Sequence, residues 1–407
     1  MIRAFFSLII YVCAVLPLFS ASPLQIKSKG ISVGISVVRL SDGTTVDSYD
    51  ADRLLVPASV VKCITAATAQ LTLPEDFAFE TTLSTHGEVD KSGCLSGWVE
   101  ISGGYDPTLG SRFFADAEPI DTWVVKCLKE AGITSVAGNI ICTPIDSPED
   151  ALSPYWLVED LRWEYGAGCF PINYCDNSLV KKVGRVANSN PAALLHKQVT
   201  AALEKAGIAV TGKKAYSAGA ATGDDSEKEW TYLSPSRDDV LRTMMFRSDN
   251  LYAEAMLRAP LLYGDSVYAD ISAETAVASA KQLWKSRGVD LSNGRLVDGS
   301  GLAPVNRISA KMLTDILGSM ADSVNYVGVF PAVGREGTVK YLLRETALEG
   351  RMVLKSGSMT GVVCYAGYML DDAGKPTHAV AVMVNNFSCS KAKVKSAISD
   401  YLLRLFK

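Results

Sequence analysis

The sequence predicts an α/β protein of the α+β kind, with one antiparallel sheet flanked by helices and interrupted by an inserted α+β domain. Three observations carry this. Strand signals cluster at both ends of the chain, and helix signals lie beside them at 59–70, 235–330 and 391–407. The middle, 85–229, has strand and helix signals of its own. At 407 residues, 48% of them apolar and 21% charged, the chain can bury a large core and more than one domain.

The first element is a hairpin over 31–50. Its leading strand, Ile31-Ser32-Val33-Gly34-Ile35-Ser36-Val37-Val38, is rich in β-branched residues, and Ser41-Asp42-Gly43-Thr44 supplies the turn. Pro57-Ala58 then opens a glycine-free, alanine-rich helix over 59–70. Three strand signals close the chain at 352–355, 362–370 and 378–385, with a turn at 371–376 between the last two. A final helix over 391–407 carries Val394, Ile398, Leu402, Leu403 and Phe406 at helical spacing. Within the middle, strands are expected at 98–102 and 133–142 and helices at 120–131 and 191–206. The division is therefore 23–84 with 230–407 for one domain and 85–229 for the insertion. The stretch 217–229 is the most loop-like.

The N-terminus has the layout of a secretory leader. Arg3 precedes an apolar run over 4–18, and Ser20-Ala21-Ser22 offers small residues for cleavage near Ala21 or Ser22. Residues 1–22 are read as a signal peptide and the mature chain as exported, periplasmic or otherwise extracytoplasmic. An uncleaved anchor is the alternative, although the run is short for a membrane span. Eight of the nine cysteines lie beyond the leader, without Cys-x-x-Cys spacing, and the chain holds three histidines, so no metal is expected. Cys169–Cys175 and Cys364–Cys389 are possible disulfides; buried free thiols are the other option. With 40 basic and 44 acidic residues the chain carries no electrostatic footprint for nucleic acid.

Three short elements carry chemistry. Ser59-Val60-Val61-Lys62 places an amine one turn above a hydroxyl at a helix start. A desolvated lysine there can take the serine proton, and the helix N-terminus favours developing negative charge. Ser248-Asp249-Asn250 precedes a helix-prone run and brings a hydroxyl to relay a proton and an amide to hold a carbonyl. Lys355-Ser356-Gly357-Ser358 sits on a strand and offers a cation, hydroxyls and a glycine that lets another backbone lie alongside. Taken singly, these elements read as a surface lysine, a helix N-cap and an exposed strand end. Their joint occurrence in this order and context is what carries the assignment, because Ser-x-x-Lys, Ser-Asp-Asn and Lys-Ser/Thr-Gly together mark penicillin-recognising serine enzymes.

Longer stretches extend the match. They are Val56-Pro57-Ala58-Ser59, Gly103-Gly104-Tyr105-Asp106-Pro107-Thr108-Leu109, Ser248 through Glu254, Asp298-Gly299-Ser300-Gly301-Leu302 and Gly334-Arg335-Glu336-Gly337-Thr338. On these residues the chain resembles the class C low-molecular-mass penicillin-binding proteins, the D-alanyl-D-alanine carboxypeptidase/endopeptidase family, over nearly all of its expected mature length. The resemblance implies a transpeptidase domain of the penicillin-binding-protein/β-lactamase kind, built on a five-stranded antiparallel sheet and carrying an insertion between its first two motifs. It implies a cofactor-free serine-type D-Ala-D-Ala carboxypeptidase or endopeptidase acting on peptidoglycan stem peptides, with β-lactams as covalent inhibitors. Ser59 would be the acylated nucleophile, Lys62 its base, and Ser248 and Asn250 the second wall. Lys355, Ser356, Gly357 and Ser358 would line the substrate strand, with Ser358 meeting the terminal carboxylate and the N–H groups of Ser59 and Ser358 forming an oxyanion hole. Asp298 and Ser300 would shape the cleft through a turn, and Asp106 would cap a turn in the insertion.

Three departures stand out. Ser356 replaces the family's common threonine. About a dozen residues separate Asn177 from Asn190, where the family nests a third domain, so that domain looks largely absent. Thr143 and Pro304 stand where many members carry charges for the stem-peptide side chain, and Arg307 is the nearest replacement. Among rivals, a Ser-His-Asp enzyme is disfavoured because no Gly-x-Ser-x-Gly elbow occurs and His86, His196 and His378 read as surface residues. A serine β-lactamase would need a second base that is not evident after Asn250. A non-catalytic peptidoglycan-binding relative would be expected to lose Ser59 or Lys62.

Overall fold

A computed structural model describes residues 22–142, 151–212, 228–264, 268 and 270–407. Residues 1–21 of the expected leader, position 143 and most of the 217–229 stretch lie outside the described residues. The two chain ends build one five-stranded sheet. Strands β1 (Ser32–Arg39) and β2 (Thr45–Tyr49) form the expected hairpin.

Strands β3 (Glu80–Val89), β4 (Cys94–Gly103), β5 (Ser135–Val136), β6 (Ile140–Cys142), β7 (Ser178–Lys181), β8 (Gly184–Ala187), β9 (Ala209–Val210) and β10 (Lys228–Leu233) follow in the middle of the chain. Strands β11 (Met352–Met359), β12 (Val362–Leu370) and β13 (Pro376–Asn385) close it. The first sheet has the order β11-β12-β13-β1-β2. Antiparallel pairing of β1 with β13, from Ser32 opposite Asn385 to Arg39 opposite His378, ties the ends together. Strand β1 is buried on both faces for six residues, which explains its unbroken apolar and small-residue run.

Helices are α1 (Val61–Thr72), α2 (Ile120–Glu130), α3 (Pro191–Lys205), α4 (Arg237–Arg247), α5 (Asn250–Tyr263), α6 (Ala273–Ser286), α7 (Ala310–Met320), α8 (Val324–Gly328) and α9 (Lys391–Leu405). One face of the sheet packs Cys364, Ala366, Tyr368, Ala381 and Met383 against residues of α1, α5 and α7. The other face packs Ile35, Val37, Leu354, Val363, Tyr365 and Val382 against Val394, Ile398 and Leu402 of α9. Each of those three helix residues is fully buried and contributes about 1.5–3 kcal/mol. Among the described residues no helix is long and apolar enough to cross a membrane.

The middle of the chain forms a second sheet, β10-β3-β4-β5-β9, with β6 also on β4. It has its own core, in which Leu83, Val99 and Ile101 meet Val124 and Leu128 of α2 and Leu195, Val199 and Leu203 of α3. This sheet begins at Glu80 and closes with β10 paired on β3 through Leu233, so it reaches beyond 85–229 at both ends. The strand expected over 133–142 is two short strands, each parallel to a different part of β4. Between Asn177 and Asn188 the chain makes only the β7–β8 hairpin, closed by Asn188 N donating to Asn177 O at 2.8 Å. All eight cysteines beyond the leader are free thiols, including both pairs considered as disulfides.

Candidate active site

The chain enters the site through a short 3-10 turn at Ala58–Val60 that runs into α1, so Ser59 precedes the regular helix. Ala58 is held at φ 49°, a costly conformation for a residue with a side chain. Two glycines allow the surrounding backbone to close on this turn. A Cβ on Gly301, itself at φ 77°, would lie 2.0 Å from Ala58 O. One on Gly357 would lie 2.5 Å from Pro57 O and 3.1 Å from Ser59 N. Strand β11 therefore runs directly against the backbone that carries Ser59.

Lys62 is fully buried, and its surroundings define its chemistry. Its Nζ donates to Ser59 Oγ at 3.2 Å, to Asn250 Oδ1 at 2.7 Å and to Ser300 O at 2.7 Å. The Asn250 amide is oriented by Nδ2 donating to Tyr165 O at 2.9 Å, so Oδ1 faces the lysine. Asn250 Oδ1 and Ser300 O can only accept, so in the neutral amine they hold its two hydrogens. The lone pair is then directed at Ser59 Oγ. Burial pulls Lys62 from the ordinary 10.5 down to about 8, opposed by the charges of Asp249, Asp298 and Glu254. A neutral amine aimed at a hydroxyl is the arrangement of a general base.

The carbonyl of Ser300 is placed by its own turn. Asp298 accepts from Gly301 N (2.9 Å), Ala303 N (2.7 Å), Asn306 Nδ2 (2.8 Å) and Trp156 Nε1 (3.0 Å). Glu254, buried in α5 and paired with Arg258 at 3.3 Å, accepts from Gly299 N and Ser300 N at 3.1 and 2.9 Å. Thr65 Oγ1 closes the set by donating to Gly299 O at 2.7 Å. The turn around Asp298 and Ser300 is thus braced from α1, α5 and the inserted segment.

Ser248 and Asn250 come from the junction of α4 and α5. Ser248 ends α4 at φ 58°, and Asp249 caps α5 by accepting from Tyr252 N at 3.3 Å. Lys355 is fully buried too, and its Nζ donates to Ser248 Oγ at 2.8 Å and Ser356 O at 2.7 Å. Burial, then the neighbouring charge of Lys62, hold Lys355 well below its usual range. Alternation along β11 turns Lys355 and Gly357 towards α1, while Ser356 and Ser358 point to the opposite face with Leu354. The cation and the hydroxyls of this motif, expected in one place, are therefore on opposite faces. Ser356 Oγ bonds Thr338 Oγ1 at 2.7 Å, and exposed Ser358 accepts from Lys391 Nζ at 3.0 Å.

Sequence motifs gave no sign of Trp156, Tyr165 or Lys391. Glu254 did leave a signal, a carboxylate four residues before Arg258 in a largely apolar helix. Position 143 is outside the described residues, and Arg307 does reach back to Pro304, donating to Pro304 O at 2.7 Å and Asn306 O at 2.8 Å. His86, read as a surface residue, is instead buried in β3, on the sheet face opposite Leu83, where it stacks on its cross-strand neighbour Trp98 at 4.7 Å. Asp106 caps its turn by accepting from Thr108 N at 2.7 Å.

A sequence model of the D-Ala-D-Ala carboxypeptidase 3 (S13) family matches residues 23–185 and 167–405. The chain belongs to this family. Among its relatives, the D-alanyl-D-alanine carboxypeptidase DacB of Haemophilus influenzae is 24% identical over 439 residues, covering 90% of this chain and 88% of the relative. The D-alanyl-D-alanine carboxypeptidase of an Actinomadura strain is 23% identical over 434 residues, covering 88% and 78%. The same fold occurs in the crystal structure of penicillin binding protein 4 from Haemophilus influenzae, with a TM-score of 0.81 at 21% identity over 93% of this chain and 97% of that one. A predatory endopeptidase of Bdellovibrio bacteriovorus superposes with a TM-score of 0.59 at 15% identity, covering 92% and 93%. The chain is accordingly a hydrolase of the serine carboxypeptidase kind, and the fold expected from its motifs is the fold it has.

Proposed function

We propose that the chain hydrolyses the terminal D-alanyl-D-alanine bond of peptidoglycan stem peptides outside the cytoplasm, through an ester on Ser59. The observation that carries this is the buried Lys62 amine held by two acceptors and turned towards Ser59 Oγ. Neutral Lys62 takes the Ser59 proton as Oγ attacks the scissile carbonyl carbon. The oxyanion is received by the N–H groups of Ser59 and Ser358, a reading supported by the close approach of Gly357, the residue before Ser358, to Ser59 N. The proton passes to the departing amine, with Ser248, bonded to Lys355, on the route to it. The carbon–nitrogen bond breaks and D-alanine leaves. Water then attacks the ester, Ser59 recovers its proton and the shortened peptide is released. A β-lactam ring opened by the same attack leaves a covalent ester on Ser59, a penicilloyl ester for a penicillin, and the Haemophilus fold relative has been crystallised in complex with a β-lactam.

Two measurements test the proposal. Mass mapping after penicillin treatment should place the adduct on the peptide containing Ser59, and Ser59→Ala should abolish it. Digestion of purified muropeptides should release D-alanine. An adduct on another residue would overturn the assignment of Ser59. Rapid release of hydrolysed cephalosporin with no action on muropeptides would make the chain a β-lactamase.

A further inference from the structure

We infer that Lys391, the first residue of α9, is a substrate-binding residue that receives the C-terminal carboxylate of the peptide together with Ser358. The inference rests on the carboxypeptidase reading given above. Such a substrate must end in a carboxylate beside the scissile bond. Its carboxylate carbon lies less than about 4 Å from the carbonyl carbon under attack, one residue length further along the chain. With that carbonyl at the N–H of Ser358, the carboxylate falls beside the Ser358 hydroxyl and the neighbouring Ser356 and Thr338 pair.

The strand's own lysine does not serve there. Lys355 is fully buried, faces α1 and donates to Ser248 Oγ and Ser356 O. Burial also disfavours its charged form. Among the described residues, the cation bonded to a hydroxyl of this strand from that side is Lys391, whose Nζ lies 3.0 Å from Ser358 Oγ with both residues exposed. One of its three hydrogens is used on that hydroxyl, and no carboxylate among the described residues forms an ion pair with it. A carboxylate accepting from Ser358 Oγ therefore lies within reach of a second hydrogen of the same ammonium.

Helix stability gives no reason for a lysine at this place. The first turn of α9 holds Lys391 and Lys393 and no acidic residue, although the helix dipole favours anions there. A bound carboxylate gives the ammonium at this position a partner.

The test compares acylation of the full chain by benzylpenicillin, which carries the corresponding carboxylate, and by its methyl ester, which does not. Lys391→Ala should slow benzylpenicillin about five- to tenfold, with Lys391→Glu slower still and Lys391→Arg near wild type. The methyl ester should react equally with all four proteins. Added salt should slow benzylpenicillin more in the wild type than in Lys391→Ala. Equal losses on both compounds, or benzylpenicillin rates within twofold in Lys391→Ala and Lys391→Glu, would overturn the role of Lys391 while leaving the reaction intact. A wild type acylated by neither compound would instead mean that the carboxypeptidase reading has failed.

Discussion

The floor and the rim of the cleft use the same residue type in opposite ways. On the floor, Lys62 and Lys355 are fully buried, each bonded to a motif serine, and both are shifted towards the neutral amine by loss of solvent. On the rim, Lys391 is exposed and touches its serine from outside the strand. A lysine that must accept a proton has to be dry, whereas one that must attract an anion has to stay charged and accessible. In the proposed reaction, the position of each lysine relative to solvent, and not its identity, divides chemistry from recognition in this cleft.

The largest effect expected from breaking this division is at Lys62. Arginine keeps the charge but cannot become neutral near pH 7, so Lys62→Arg should cut penicillin acylation by about a thousandfold or more. Stopped-flow acylation checks this, with thermal melting to establish that the variant is folded. Near-normal acylation would move the base role to another group, Ser248 first.

A second effect follows from pH. In the proposed reaction the active form of Lys62 is the neutral one, and its value near 8 leaves about a tenth of it neutral at pH 7 and about a hundredth at pH 6. The acylation rate should therefore rise about tenfold per pH unit up to neutrality and level off above pH 8. A profile flat from pH 6 to 9 would contradict the floor's role.

The brace from the insertion should matter less. Trp156→Phe removes one of four donors to Asp298 and leaves that carboxylate partly unsatisfied, which should cost about 1–3 kcal/mol of stability. Differential denaturation measures it, and acylation should slow with it as the Ser300 carbonyl loosens from Lys62.

The smallest effect is expected at the far end of the substrate. Pro304 brings no charge, and Arg307 already donates to Pro304 O and Asn306 O. Two peptides ending in D-Ala-D-Ala, with diaminopimelate or alanine at the third stem position, should therefore differ less than about tenfold in cleavage. A preference above about a hundredfold that disappears in Arg307→Ala would show a rebuilt charged subsite.

Local pattern was enough to locate the hairpin at the start, the three closing strands and α9, because their periodicities are set by burial of one or both faces of short, regular segments. Ser59, Lys62, Ser248 and Asn250 stood out only through the joint occurrence of their motifs, and the structure joins Lys62 to Ser59 and Asn250 and Lys355 to Ser248. The apolar pattern of β11 covers 352–355, and the motif places Ser356-Gly357-Ser358 on the same strand; the ladder to β12 carries it on to Met359. The split of 133–142 into β5 and β6 was decided by β4, the partner of both.

What the sequence determined by itself is therefore the chemistry available: a serine and lysine one helical turn apart, a second serine with an amide, and a strand bearing hydroxyls. Only the tertiary structure decided which lysine is dry, which faces solvent and which carbonyls hold the base. Tyr165, Trp156 and Lys391 reach the site from segments 85, 142 and 33 residues away from Asn250, Asp298 and Ser358 respectively. Solvent exclusion and hydrogen-bond direction arise from the joint packing of all these segments, so no local pattern in the chain could encode them.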